Sequence, residues 1–419
     1  MIPRLDDYKK KWEVASDQSI KPGLDAMKEA LRLLNNPEKN LAFVHVAGTN
    51  GKGSTITFLE GISRRHGLNV GKFMSPCIVD VHDQLQINGI PISEKEMDDV
   101  FSRLKNAGLS GKLTDFELLT CAAFLYFSQQ ELDFVLLEAG MGGLEDSTNV
   151  ITPIVSIITS IALEHTKFLG TTIESIAVHK AGIIKQNTPV VVGRLPIEAS
   201  AVVDNAAFDK RASLIELGDH FEVSIDGSSE VYTNDEKGLQ IKNIVRALPG
   251  KHQADNMAIA ITAFFEVAEF LDITADLDKI RKGIYGACLP GRFEEVLPNV
   301  YFDGAHNPAS AEKLVQTIKG EFSDEKIRFV VGMLGDKDVR AVLHLLEQVS
   351  DEFYFVDFAN DRAMTAKEML SLSNASHASS LKDYTSFLEA ASTSEGKTFV
   401  TGSLYLLTEI RGSLIKNKI

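Results

Sequence analysis

Cysteine, positive charge and long apolar runs are all scarce in this sequence, and each shortage removes a class of protein. The three cysteines, Cys77, Cys121 and Cys288, are odd in number and widely spaced, with no CxxC pair. A disulfide framework and a cysteine-based structural zinc are excluded, and the pattern fits a reducing cytoplasm. No apolar run approaches the roughly 20 residues that a membrane helix needs. The opening stretch MIPRLDDYKKKW has no apolar segment behind it, so it does not read as a signal peptide. Lys and Arg number 43 against 58 Asp and Glu, a net charge of −15. A dominant nucleic-acid face, which needs a basic patch, is excluded. An anionic ligand is not, but backbone amides, metal ions and a few Lys or Arg must make its site positive locally. The expectation is a soluble, cytoplasmic protein with neither nucleic acid nor membrane as partner.

What the sequence does have is an ordinary globular balance, 44% hydrophobic and 24% charged over 419 residues. At roughly 100–200 residues per domain, two or three domains are expected. A mostly helical lead-in of about 40 residues, broken at Pro22-Gly23, precedes the apolar run Leu41–Ala47, which has the length of a buried strand. Further strands are predicted at 70–74, 133–139 and 154–160, each near a helical stretch. Ser93-Glu-Lys-Glu96 is a capping box opening a helix to about residue 107. Strands alternating with helices predict an α/β protein with a mostly parallel sheet covered on both faces. The short runs EVSID and EVYTN, at residues 222–226 and 230–234, predict a small antiparallel patch. A helix is predicted over 255–270. A second βα series starts near residue 300, with strands at 300–303, 328–333, 352–358 and 397–401, helices from Pro308 and over 337–349, and a closing helix to the C-terminus. The domains are therefore expected at 1–293 and 294–419.

Four clusters of polar and glycine residues fall at strand ends. Gly48-Thr49-Asn50-Gly51-Lys52-Gly53-Ser54 lies between a strand and a helix. Backbone amides and a helix N-terminus in such a loop cradle phosphate. Lys52 would reach the β/γ-phosphates and Ser54 would ligate Mg²⁺, as in a P-loop. The match is imperfect: Val46 stands where the motif has glycine, and Gly53 intervenes before the hydroxyl. Glu138, at the head of Glu138-Ala-Gly-Met-Gly-Gly143, ends a buried strand, where open α/β sheets bind ligands. It is a candidate magnesium ligand, or else a turn cap. His165, in Ser160-Ile-Ala-Leu-Glu-His165, is a candidate metal ligand or a plainly hydrogen-bonded histidine. Lys180 sits on a predicted helix, where the plainest expectation is an exposed lysine. Asp303, in Asp303-Gly-Ala-His306-Asn-Pro308, ends the first strand of the second domain, and Pro308 suits a first helical turn.

Taken together and in order, GTNGKGS, LEAGMGG with its following DSTN, TSIALEHTKFLG, KAGIIK, LPGKHQADN, LPGR, DGAHN and GMLGDKD resemble the folylpolyglutamate synthase/dihydrofolate synthase family, within the muramyl-ligase superfamily. The resemblance spans about residues 43–338. It implies an N-terminal P-loop ATP-binding domain and a smaller Rossmann-like C-terminal domain. It implies ATP held by the loop Thr49, Asn50, Gly51, Lys52, Gly53 and Ser54, by His252, Gln253 and Asn256 near adenine, and by Arg292 and Asp303. Two Mg²⁺ ions are implied at Ser54, Ser75, Glu138 and His165, a carbamylated lysine at Lys180, and a catalytic group at His306 with Lys52 and Lys180. The implied reaction adds L-glutamate to a folate, or to dihydropteroate, through an acyl phosphate, in a monomer. Departures from the family pattern fall on the folate side, at Cys77, Ile78, Asp83, Gln84, Leu85 and Leu144. Two other readings stay open: a nucleotide-binding module without ligase activity, and a ligase acting on a UDP-muramyl peptide.

Overall fold

The computed structural model describes residues 2–19, 21 and 23–416. Pro22, half of the predicted break, and the last three residues of the predicted closing helix lie outside them. The first sheet has eight strands: β1 (Phe43–Ala47), β2 (Val70–Phe73), β3 (Leu85–Ile87), β4 (Ile90–Pro91), β5 (Phe134–Glu138), β6 (Val155–Ile158), β7 (Val190–Val192) and β8 (Leu214–Glu216). Their order is β4-β3-β2-β5-β1-β6-β7-β8. The six strands from β2 to β8 run parallel, and β3 and β4 add an antiparallel margin. Strands β1, β5 and β6 are buried along their whole length, which is why their sequences are continuous apolar runs rather than alternating ones.

Both faces of the sheet are covered. On one side Ile56, Leu59 and Ile62 of the helix Lys52–Arg65 pack with Met257, Ile261 and Phe264 of helix His252–Phe270 and with Ile280 and Ile284 of helix Leu277–Tyr285. Gly61 and Gly283 meet where two of these helices cross; a Cβ on Gly283 would lie 2.6 Å from the Ile62 backbone. On the other side, helices Glu94–Asn106 and Asp115–Phe127 bury Phe101, Leu104, Leu119 and Phe124. The predicted capping box at Ser93 and Glu96 is present. The predicted antiparallel patch is a three-stranded sheet of β9 (Phe221–Asp226), β10 (Ser229–Asn234) and β11 (Leu239–Ile244).

The last sheet contains β12 (Glu294–Leu297), β13 (Val300–Phe302), β14 (Ile327–Val331), β15 (Glu352–Phe355), β16 (His377–Ser380) and β17 (Lys397–Thr401), ordered β12-β13-β17-β14-β15-β16. It is parallel except for β12. Helix Pro308–Glu321 follows β13, with Asn307 as its N-cap and proline in its first turn. Among the described residues no helix is long and apolar enough to cross a membrane.

Candidate active site

The central strands of the first sheet deliver their loops to one edge. Ser75 follows β2, Glu138 ends β5, the Gly48–Ser54 loop follows β1, and the segment reaching His165 follows β6. These four strands are neighbours in the order β2-β5-β1-β6, so the sheet places together residues that lie up to 117 positions apart in the chain.

The glycine loop is fixed by the turn after β6. Thr49 N–H donates to the Ser160 carbonyl at 2.8 Å, and Asn50 N–H to Ser160 Oγ at 3.0 Å. Thr159 and Ser160 hydroxyls donate to the Asn50 carbonyl at 2.7 and 2.9 Å. Gly51, at φ 90°, is the N-cap of the helix, a left-handed conformation in which a side chain is strained. Any Cβ there would also strike the Asn256 amide. Lys52 Nζ donates to the Gly48 carbonyl at 2.9 Å and lies 3.7 Å from Glu138 Oε1. The loop is thus tied to the turn after β6 and closed by Lys52, and the N–H groups that begin the helix after Gly51 are the ones an anion can take.

A cleft of roughly 600 Å³, open to solvent, runs from this loop to the second domain. The loop contributes Asn50, Gly51 and Ser54, the long helix contributes His252, Gln253 and Asn256, and the far wall carries Arg292, Asp303 and His306. Asn256 donates to Gln253 at 2.9 Å. Burial pushes His252 down to about 4, helped by the charges of Lys313, Arg246 and Arg292, so its ring is neutral. Burial also raises the Asp303 carboxyl, though Arg292 and the N–H groups of Phe293 and Ala305, at 3.0 and 2.9 Å, oppose that. Asn307 donates to Asn50 across the cleft at 3.4 Å.

Beyond Lys52 lies a cluster of ionisable side chains. Glu138 is buried, and its Oε2 accepts the Ser75 N–H at 3.3 Å. Burial raises its carboxyl above the usual range, against the pull of Lys52 and Arg292. Lys180 is 2% exposed, so the expectation of an exposed helical lysine is overturned. Its helix, Ile173–Ala181, turns this face against the sheet, where Gly143 lets the Lys180 carbonyl approach. Burial and the Lys52 charge push the Lys180 amine down to about 7, although Glu164 and Asp146 pull the other way. His165 is lowered to about 4 by burial, with Lys337, Lys52 and Lys180 adding to the effect against Glu164. Its nearest ionic partner is Glu164, at 3.5 Å.

Glu164 and Lys337 are the residues that the motif reading passed over. Glu164 lies in TSIALEHTKFLG, but one carboxylate next to a histidine carries no signal of its own until the fold surrounds it with cations. Lys337 follows β14, and its charge is felt at His165 only because the second sheet faces the first. The folate-side departures also acquire places. Cys77 is buried, and its carbonyl accepts from Thr408 of the closing helix Leu404–Lys416 at 3.3 Å. Asp83 accepts from the N–H groups of Ile78 and Val79 at 2.9 and 2.5 Å, and burial pushes it up to about 6. Leu144 is partly exposed beside Gly182.

Among the described residues, no three His, Cys, Asp or Glu side chains form a ready-made metal cluster. Magnesium keeps waters and takes substrate phosphates, and needs only one or two protein carboxylates. Glu138 supplies a buried oxygen donor with incomplete charge compensation, Ser75 adjoins it, and His165 is a neutral imidazole. The Glu138 carboxylate and the Ser75 hydroxyl are oxygen donors that suit a hard cation brought in with a nucleotide, and the His165 imidazole is the softer donor of the set.

A model of the Mur ligase middle domain matches residues 46–264, and one of the Mur ligase glutamate ligase domain matches residues 291–403. The chain is 37% identical over 416 residues to a dihydrofolate synthase/folylpolyglutamate synthase of Bacillus subtilis, covering 94% of this chain and 95% of that one. It is 34% identical over 406 residues to a folylpolyglutamate synthase of Lacticaseibacillus casei, covering 93% of each. Its structure is similar to that of Escherichia coli FolC in complex with DHPP and ADP, with a TM-score of 0.89, 30% identity, and coverage of 99% and 98%.

Proposed function

We propose the reaction of this chain from the family to which it belongs, the folylpolyglutamate and dihydrofolate synthases of the Mur ligase superfamily. It is an ATP-dependent ligase that forms a C–N bond, joining L-glutamate to the γ-carboxylate of a folate. A carboxylate is a poor electrophile, because direct attack by an amine would have to expel oxide. Phosphoryl transfer from ATP converts it to an acyl phosphate and leaves ADP. The glutamate amine attacks that carbonyl, loses a proton, and expels phosphate from a tetrahedral intermediate. The protein's share is positioning and charge stabilisation.

The observation that carries this reading is a single cleft lined by the glycine loop, by His252, Gln253 and Asn256, and by Arg292, Asp303 and His306. In this proposal Thr49 to Ser54 hold the triphosphate, with Gly53 allowing close approach at the first helical turn. The neutral His252 and the Gln253–Asn256 pair flank the base, and Arg292 and Asp303 complete the nucleotide site from the far wall. Lys52 offsets charge on the transferring group. Ser54, Ser75, Glu138 and His165 would hold two Mg²⁺ ions, which when bound neutralise phosphate charge. Lys180, with its amine pushed down to about 7, is substantially neutral near neutral pH and so able to add carbon dioxide. The resulting carbamate would turn a buried cation into a carboxylate-like partner for the ions. His306 is the catalytic group brought by the second domain. The proposal assigns residues 1–293 to nucleotide and folate and residues 294–419 to closing the site, in a cytoplasmic monomer. Synthesis of dihydrofolate from dihydropteroate uses the same chemistry, and the B. subtilis relative's name includes it.

The test is glutamate-dependent phosphate release from MgATP, run in parallel with tetrahydrofolate, dihydropteroate and a UDP-muramyl peptide. Release with tetrahydrofolate, and a product one glutamate heavier, is expected. Release with the muramyl peptide alone, or nucleotide binding without release in any lane, overturns the reading. The second result would favour a nucleotide-binding module.

A further inference from the structure

The nucleotide cleft accounts for His306 but not for the carboxylate facing it. Glu164 belongs to the segment after β6, and His306 to the turn after β13 in the other domain. Glu164 Oε1 lies 3.7 Å from His306 Nε2 and 3.5 Å from His165 Nε2. The Glu164 side chain is 8% exposed, so this is not a solvated surface pair. Among the described residues, Glu164 is the one acidic side chain paired with His306.

The orientation of the imidazole gives the pair a direction. His306 Nδ1 lies 2.8 Å from the Gly304 carbonyl, which can only accept, so Nδ1 carries a hydrogen and donates it. Nε2 is then the only ring nitrogen left for chemistry, and it faces the carboxylate. The His306 main chain is held as well: its N–H donates to Ser310 Oγ at 3.1 Å, within the cap of the following helix. The ring is therefore tethered at Nδ1 and through its main chain, with Nε2 presented to the first domain. His306 lines the cleft, whereas Glu164 does not. Among the ionic partners of Glu164, His306 is the one that lines the cleft, the other being His165.

We propose that Glu164 is a positioning residue for the ligation step, reaching across the domain boundary to hold the His306 imidazole over the cleft. Among the described residues Glu164 forms ion pairs with His306 and His165 and none with the glycine loop, Lys52 or the base site, so activation of the carboxylate is expected to continue while amine attack slows. This inference rests on the ligase reading above. Glu164→Gln keeps the size of the side chain and removes its charge. Its kcat for glutamate addition is expected to fall about 100-fold, the usual consequence of misplacing a catalytic group by an ångström, with the KM for ATP changed less than about threefold. Acyl phosphate formation without glutamate, trapped by hydroxylamine as the hydroxamate with release of phosphate, should continue at nearly the parent rate. His306→Gln and the double variant should show losses that do not multiply, because both remove one coupled unit. Should Glu164→Gln fail to fold, as judged by melting and ATP binding, Glu164→Asp tests the same point. It retains charge but shortens the reach, and about a tenfold loss in kcat is expected.

The inference is overturned if the parent is active and Glu164→Gln keeps its kcat within about threefold. It is equally overturned if the KM for ATP rises in step with the loss, if hydroxamate formation falls with ligation, or if the two substitutions multiply. A parent that shows no glutamate-dependent phosphate release overturns the ligase reading instead.

Discussion

Replacing Lys180 with methionine should make the protein more stable, and by an amount that depends on pH. The side chain is buried, and burial with the Lys52 charge pushes its amine from 10.5 to about 7. At about 1.4 kcal/mol per pKa unit, the displacement corresponds to on the order of 5 kcal/mol, an upper value because the surroundings relax around a charged amine. In the unfolded chain the lysine keeps its proton to about pH 10.5, whereas in the folded chain it releases it near 7. Between those limits the unfolded state binds more protons, so stability rises with pH. The destabilisation is fully present below 7 and gone above 10.5. Lys180→Met keeps the length of the side chain without its charge. It should therefore stabilise the ligand-free protein by about 2–4 kcal/mol near pH 6, with the gain fading to nearly nothing near pH 10. Urea unfolding in buffers freed of carbon dioxide measures both ends of the range, because a carbamate would introduce a different charge. A variant less stable than the parent at low pH, or a gain equal at both ends, would refute the reasoning. The same variant should have lost ligase turnover.

Other outcomes follow from the same geometry. Lys52→Met removes the cation 3.7 Å from Glu138, and kcat/KM for ATP should fall by about 10²–10³-fold in a phosphate-release assay. The orphaned Glu138 carboxylate should also cost about 1–3 kcal/mol in urea unfolding. Gly283→Ala sets a Cβ 2.6 Å from the Ile62 backbone where two helices cross, and should cost about 1–3 kcal/mol. Its melting temperature reads this directly. Because burial holds His252 down at about 4, ATP affinity measured by calorimetry should show no inflection from that residue between about pH 6 and 8, and His252→Gln should leave the profile's shape unchanged.

The buried strands were the most legible part of the fold. The apolar run Leu41–Ala47 became β1, at Phe43–Ala47, because strands buried on both faces favour apolar sequence, and Lys397–Thr401 became β17 with the predicted bounds, its β-branched and aromatic residues suiting a strand. The short strands β7 and β8 and the β3–β4 margin were not read, since so short a run has little period to detect, although β13, of the same length as β7 and β8, was expected at 300–303. The helix expected from residue 255 begins at His252, because its start lacks a side-chain cap that would mark it. The helix expected over 337–349 is shorter, Val339–Leu346, starting after the Asp338 cap, which accepts the Ala341 N–H at 3.1 Å. Lys180 shows the limit on the site. A lysine on a helix is normally exposed, and only packing against the sheet revealed that its amine is buried.

What the sequence alone determined is local and compositional. Glycines at Gly48 and Gly51 specify a turn that side chains would obstruct, and Asn307-Pro308 specifies a helix start. The motif order identified the family. None of this depends on what lies far away in the chain. The tertiary structure decided which charges meet. Strand order puts Ser75, Glu138, the glycine loop and His165 on neighbouring strands, although the sequence gives no distance between them. The packing of two sheets brings His306 to Glu164 and Lys337 toward His165. Protonation and pairing depend on burial and on charges a few ångströms away, and those are properties of the folded arrangement rather than of any local run of residues.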